Sequence, residues 1–209
     1  MTELDNLAIK YGSDKYGHHN YTPIYDANFS LLKNENMVLL EIGIGGYEYV
    51  DRGGSSLKMW RDYFPNAIIH GVDIYDKSFF NDNRIFTHIG SQDDFTFLHS
   101  LINKIGSPTI CIDDGSHVND LTIKTFEILF PLIKPGGIYV VEDVHTSYWP
   151  DIYGGDFDVK NHDSRTTMNY FQSLTDVLNA EHIPGYVSPI NDIESISFYK
   201  EMIIIKKKI

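Results

Sequence analysis

The sequence predicts an α/β fold: one doubly wound, mostly parallel seven-stranded sheet that ends in an antiparallel hairpin. Three observations predict it. Short, continuous apolar runs rich in Val and Ile recur along the chain, as expected of strands covered on both faces. Stretches with helical spacing separate them, giving the strand–helix–strand alternation of a parallel sheet. Near the end, two β-rich runs lie almost back to back, which suits a hairpin.

Each element can be read in turn. Met37–Gly43, Ala67–Asp73, Arg84–Ile89, Thr109–Asp114 and Gly137–Glu142 read as five strands. Between them, Ser55–Tyr63 places Leu57, Trp60, Arg61 and Phe64 at helical spacing, and Phe95–Ile105 places Leu98, Leu101, Ile102 and Ile105 on one face. A helix over Asp120–Leu132 follows an N-cap at Asn119 and stops at Pro135-Gly136-Gly137. Residues 144–165, rich in Tyr, Gly, Asp and His without period, read as a long functional loop. A helix over Thr166–Ala180 comes next, then the strands Ser195–Tyr199 and Met202–Ile205 around Lys200-Glu201. The expected organisation is an arm or lid over residues 1–36, in which Tyr11, Lys15, His18 and His19 stand out, and one domain over 37–209.

Bulk properties narrow the function. The 209 residues suffice for one such domain. A net charge of -12 argues against a nucleic-acid partner, which needs basic surface. The Lys206-Lys207-Lys208 run reads as a solvated tail. The single cysteine, Cys111, forms no internal disulfide and reads as a small buried hydrophobe. Neither a leader pattern nor an apolar run of spanning length is present, so a cytoplasmic protein without a membrane partner is expected.

In an open parallel sheet, ligands bind beyond the carboxyl ends of the strands. The first strand here ends in Glu41-Ile42-Gly43-Ile44-Gly45-Gly46, where glycines let a ligand approach the backbone. The second ends in Asp73, placed to accept from ribose hydroxyls. These features indicate a nucleoside-bearing cofactor and leave NAD and S-adenosylmethionine both open. Two details weigh against a dinucleotide. Glu48 occupies the place of the third glycine of Gly-x-Gly-x-x-Gly, and the segment Tyr47–Gly54 separates the turn from the helix whose N-terminus a pyrophosphate needs.

The next two strand ends are acidic. Asp113-Asp114-Gly115-Ser116-His117 closes the fourth strand and Glu142-Asp143 the fifth. Adjacent strand ends bring Asp114, Glu142 and Asp143 together, and clustered carboxylates repel unless protonated or neutralised by a cation. Oxygen ligands select magnesium or calcium, with manganese also compatible. His117, three residues after Asp114, suits a general base for a metal-activated alcohol, and helix capping is its structural alternative.

These strings, Leu39–Tyr47, Gly54–Pro65, Ile112–His117 and Val141–Asp143 followed by Thr146-Ser147-Tyr148-Trp149, closely resemble the metal-dependent sugar O-methyltransferases of macrolide and aminocoumarin biosynthesis, the macrocin and mycinamicin type. Lys10–Lys15 and His18–Thr22 extend the resemblance over nearly the whole chain. It implies a Rossmann-like domain, S-adenosylmethionine and magnesium. The ligands would be Asp114, Glu142 and Asp143, with His117 as base. Cofactor contacts would fall on Glu41, Gly43, Ser55, Asp73 and Asp93, with Asp113 towards the methionine part. The metal would be chelated by vicinal hydroxyls of a sugar or glycoside, one of which is methylated.

Some relatives carry a further N-terminal domain, so acceptor choice and quaternary structure do not carry over, and a homo-oligomer is left open. Tyr148 and Trp149 are candidates to stack on a sugar, or else they anchor the loop. Besides a noncatalytic nucleoside-binding module, against which the presence of His117 and all three carboxylates counts, two rival functions stand beside this one. One is a methyltransferase of a catechol or other small diol, which needs the same chelation. The other is a nicotinamide-dependent oxidoreductase, against which the missing glycine and the absence of a Tyr-x-x-x-Lys pair count.

Overall fold

The computed structural model describes residues 1–188 and 190–209. The chain divides into two compact units, Met1–Ser91 and Gln92–Ile209.

In the first unit, α1 (Glu3–Tyr11) begins with a reciprocal cap, in which the Thr2 hydroxyl accepts from the Asp5 N–H and the Asp5 carboxylate accepts from the Thr2 N–H. It ends at Gly12 in the left-handed conformation. Helix α2 (Thr22–Phe29) follows, then β1 (Val38–Ile42), α3 (Ser55–Tyr63), β2 (Ile68–Asp73) and β3 (Ile85–Ile89). The strands are parallel in the order β3-β2-β1, with Val38 beside Ile68 and Ile69 beside Ile85. Residues 1–36 lie within this unit and add to its core: Tyr25 meets Trp60 edge-on at 5.0 Å, and Phe29 packs against Phe64. The arm residues are anchored. Lys15 is buried, with its ammonium 3.6 Å from Glu41, while Tyr11 bonds to Asp62. His19 stacks on Tyr21 at 4.7 Å.

The second unit contains α4 (Phe95–Ile105), β4 (Ile110–Asp113), α5 (Asn119–Leu129), β5 (Ile138–Glu142), α6 (Thr167–Ser173), β6 (Ile193–Tyr199) and β7 (Met202–Lys207). Strands β4 and β5 are parallel, β7 runs antiparallel to β5 and β6 antiparallel to β7, giving the order β4-β5-β7-β6. Phe126, Phe130, Tyr139 and Phe171 form an aromatic core behind them. The α/β class, the seven mostly parallel strands and the terminal hairpin are as the sequence predicts.

Four local expectations need correction. Asn119 is not the N-cap of α5; Val118 is, and the Asn119 amide bonds instead to Thr146, Tyr153 and Thr167. The helix ends at Leu129 and tightens into a 3-10 turn over Phe130–Leu132, where Pro131 removes an amide donor. The helix expected over Thr166–Ala180 stops at Ser173 and continues as 3-10 turns to His182, broken at Asn179. Lys207 is not in a solvated tail. It lies on β7, and its ammonium caps the carbonyls of Phe130, Pro131 and Ile133 at the end of the 3-10 turn, 3.2 Å from Asp192.

Candidate active site

The geometry of the second unit starts from the register of β4 and β5. Asp113 pairs with Val141, so both strands release the chain at one level. Asp114 leaves β4 as Glu142 ends β5, and each offers a carboxylate oxygen within 4.8 Å of the other. Asp114, His117 and Asp143 likewise bring one ligand atom each within 4.8 Å of one another. His117 Nε2 lies 3.9 Å from Asp114 Oδ1 and 3.6 Å from Asp143 Oδ2. All three side chains are partly exposed, whereas Glu142 is buried.

The loop carrying His117 is fixed from behind. Gln92 accepts from the Ser116 N–H at 2.8 Å and donates to Thr125 on α5. A Cβ at residue 115 would come to 2.6 Å from Gln92 Oε1, so a larger residue there would displace the Gln92 side chain from its bond to Ser116. Asp113 Oδ1 accepts from the Gly115 N–H. Burial, and then the charge of Asp114, pushes the Asp113 carboxyl up to about 8. Burial and the same carboxyl raise Tyr139 as well.

His117 and Asp143 are two of four non-glycine residues in the left-handed region among the described residues, with φ of 56° and 53°. Such backbone costs about 1–3 kcal/mol per residue and persists only where surroundings enforce it. Thr146, in the 3-10 turn Val144–Tyr148, has its hydroxyl 2.9 Å from the His117 carbonyl and 3.1 Å from that of Asp143. The buried Asn119 amide donates to the carbonyls of Thr146 and Tyr153 and accepts from the Thr167 N–H. Sequence reasoning missed both residues, because these bonds join segments far apart in the chain.

Tyr148 and Trp149 follow this turn and are exposed. Trp149 has an aromatic partner on either side, with His145 edge-on at 4.7 Å and Tyr153 at 5.5 Å. Asp93 pairs with Lys124 at 3.0 Å.

In the first unit, Glu41 is fully buried and accepts from Ser56 at 2.9 Å besides facing Lys15. Ser55, its neighbour, is half-buried at the first position of α3. Gly43 has φ of 88°, which turns the chain as it leaves β1. Asp73 accepts from the N–H groups of Ile44 and Tyr75, at 3.0 and 2.9 Å, and so ties the end of β2 to this turn. Lys77, also buried, donates to the carbonyls of Tyr47, Tyr49 and Arg52 and closes the loop that replaces a tight glycine turn.

A glycine turn and an acidic strand end in one unit, with converging carboxylates and a histidine in the other, define an α/β domain with a candidate hard-cation centre. No protein-family model matches the chain. It is 43% identical over 87% of its length to demethylmacrocin O-methyltransferase of Streptomyces fradiae. It is 38% identical over 98% of its length to 8-demethyl-8-alpha-L-rhamnosyl tetracenomycin-C 2'-O-methyltransferase of Streptomyces olivaceus. A solved structure of the MycE methyltransferase of the mycinamycin pathway, with Mg and SAH, covers 99% of the chain at 38% identity and a TM-score of 0.94. Another with Mg, SAH and mycinamycin VI gives a TM-score of 0.91 at 37% identity. Over nearly its whole length the chain is similar to these O-methyltransferases. It spans about half the length of these relatives, 46% and 54% of the two curated proteins and 54% and 55% of the two solved chains.

Proposed function

We propose that this chain carries the catalytic domain of an S-adenosylmethionine- and magnesium-dependent O-methyltransferase whose acceptor is a sugar hydroxyl of a small glycoside. The observation that carries the reading is the Asp114–His117–Asp143 cluster, on a chain whose relatives methylate sugar hydroxyls. The donors fit a hard cation: two partly exposed carboxylates converge, and Glu142 adds a buried one beside Asp114. Bound there, magnesium would lower the pKa of a coordinated hydroxyl. Asp114, Glu142 and Asp143 hold the ion in this reading.

His117 withdraws the proton at the acceptor oxygen, its Nε2 lying 3.9 Å from Asp114 and 3.6 Å from Asp143. Trp149, braced by His145 and Tyr153, offers a face on which a sugar ring stacks, and Tyr148 stands beside it. Glu41, Gly43, Ser55 and Asp73 are the cofactor contacts of the first unit in this reading, and Asp93 and Asp113 those of the second. Asp73 suits the ribose because each oxygen keeps a lone pair after accepting one N–H. Asp113 suits the amino-acid end because its buried carboxyl gains by facing an ammonium group. In this reading residues 37–209 form the catalytic domain and residues 1–36 its N-terminal segment. A cytoplasmic location completes the reading. Among the described residues no helix is long and apolar enough to cross a membrane.

The test is to incubate the purified chain with S-adenosylmethionine, magnesium and a panel of glycosides bearing vicinal hydroxyls, reading S-adenosylhomocysteine release and methyl incorporation by mass spectrometry. Magnesium-dependent mono-methylation of a glycoside is expected. Methylation of catechols alone, or NAD binding without S-adenosyl binding, would reject the assignment.

A further inference from the structure

We infer that Thr146 is a positioning residue, whose hydroxyl sets the spacing between His117 and Asp143 by holding both backbones at once. The inference rests on the reading of these two residues as base and metal ligand.

A threonine in a 3-10 turn often returns its hydroxyl to the carbonyl three residues back, and the bond to Asp143 is of that local kind. The bond to the His117 carbonyl is not. It spans 29 positions in sequence and is the shorter of the two, at 2.9 Å. The two carbonyls therefore meet at one buried oxygen, which shares a single proton between them. Each belongs to a residue in left-handed backbone, so each side chain's direction depends on an enforced conformation.

Thr146 is itself held. Its carbonyl accepts from Asn119 Nδ2 at 3.2 Å and from the Trp149 N–H at 3.0 Å, and its N–H donates to the Asp143 carbonyl at 3.1 Å. Asn119 is buried and its amide also reaches Tyr153 and Thr167. The β5 loop, the His117 loop and the start of α6 are thus pinned through one asparagine and one threonine. Rotation of either loop would break the shared bond and change the 3.6 Å separation of His117 Nε2 from Asp143.

The experiment compares wild type, Thr146→Val and Thr146→Ser. Valine keeps the shape without the hydroxyl, and serine keeps the hydroxyl. Magnesium affinity is measured by calorimetry in the presence of S-adenosylhomocysteine, alongside kcat, KM for S-adenosylmethionine and a thermal melt. We expect Thr146→Val to lose about tenfold in magnesium affinity and about tenfold in kcat, with KM within about twofold, and Thr146→Ser to stay close to wild type. Wild-type magnesium affinity and kcat in Thr146→Val would overturn the inference. So would a serine variant impaired as far as the valine one. Should the valine variant not fold, Thr146→Ala takes its place against serine, with the same readings. A wild-type chain that binds no magnesium would overturn the underlying reading and this inference together.

Discussion

His117 Nε2 stands 3.6 Å from Asp143 Oδ2, and both residues sit in left-handed backbone, at φ of 56° and 53°. A histidine and a carboxylate held so close, each at a conformational cost, form an arrangement the fold maintains rather than a chance meeting of surface groups.

His117→Ala is expected to lower kcat by at least about a hundredfold while S-adenosylhomocysteine binding stays within a few-fold, since only the proton acceptor is removed. Single-turnover methyl transfer and calorimetric binding of the product check this. Normal turnover in the variant would remove His117 from the role.

Asp143→Ala is expected to raise the magnesium concentration needed for half-maximal activity by about tenfold or more, because one charged ligand is lost. A magnesium titration of the initial rate reads it directly. An unchanged midpoint would reject Asp143 as a ligand.

The buried pair Lys15–Glu41 predicts a stability effect in the first unit. Lys15→Met leaves the Glu41 carboxylate buried without its ammonium partner, and breaking a buried pair costs about 3–5 kcal/mol. Urea unfolding should show a loss of that order, and the further change Glu41→Gln should recover much of it. A loss below about 1 kcal/mol would show that the pair is not what holds the arm.

Acid stability should depend on Asp62. Burial acts to raise its carboxyl, but hydrogen bonds from Lys10, Tyr11 and Arg61 outweigh it and hold the group well below the usual range. A carboxyl depressed in the fold contributes stability that is present above its unfolded value, near 4, and lost as pH falls through the folded value. Asp62→Asn should lower stability by about 1 kcal/mol at neutral pH and flatten its decline below pH ~4. Parallel acid limbs in the two proteins would contradict this.

The parts of this molecule that were legible in its sequence are those encoded locally. Continuous apolar runs mark all five parallel strands to within a residue or so, most clearly Ile110–Asp113 and Ile138–Glu142, which are buried along their whole length. The site was legible in part: parallel strands end at one edge of a sheet, which predicts the trio Asp114, Glu142 and Asp143, whereas the ligand atoms gather as Asp114, His117 and Asp143, with Glu142 within reach of Asp114. What failed to show depends on distant partners. Asn119 looks like an N-cap until Thr146, Tyr153 and Thr167 are seen around its amide. Lys207 looks like a tail residue until the end of a 3-10 turn some 75 positions earlier is found beneath its ammonium. Thr146 carries no chemistry of its own and becomes visible only once two left-handed carbonyls are seen to meet at its hydroxyl.

In the proposed function, the cluster at the ends of β4 and β5 binds a divalent cation that methyl transfer to a sugar requires. The most direct measurement is S-adenosylhomocysteine release from the purified chain with S-adenosylmethionine and a vicinal-diol glycoside, before and after chelation and on adding magnesium back. Activity should disappear with chelation, return with magnesium, and fail to return in Asp114→Asn. Undiminished turnover in the chelator, or full activity in Asp114→Asn, would contradict this reading.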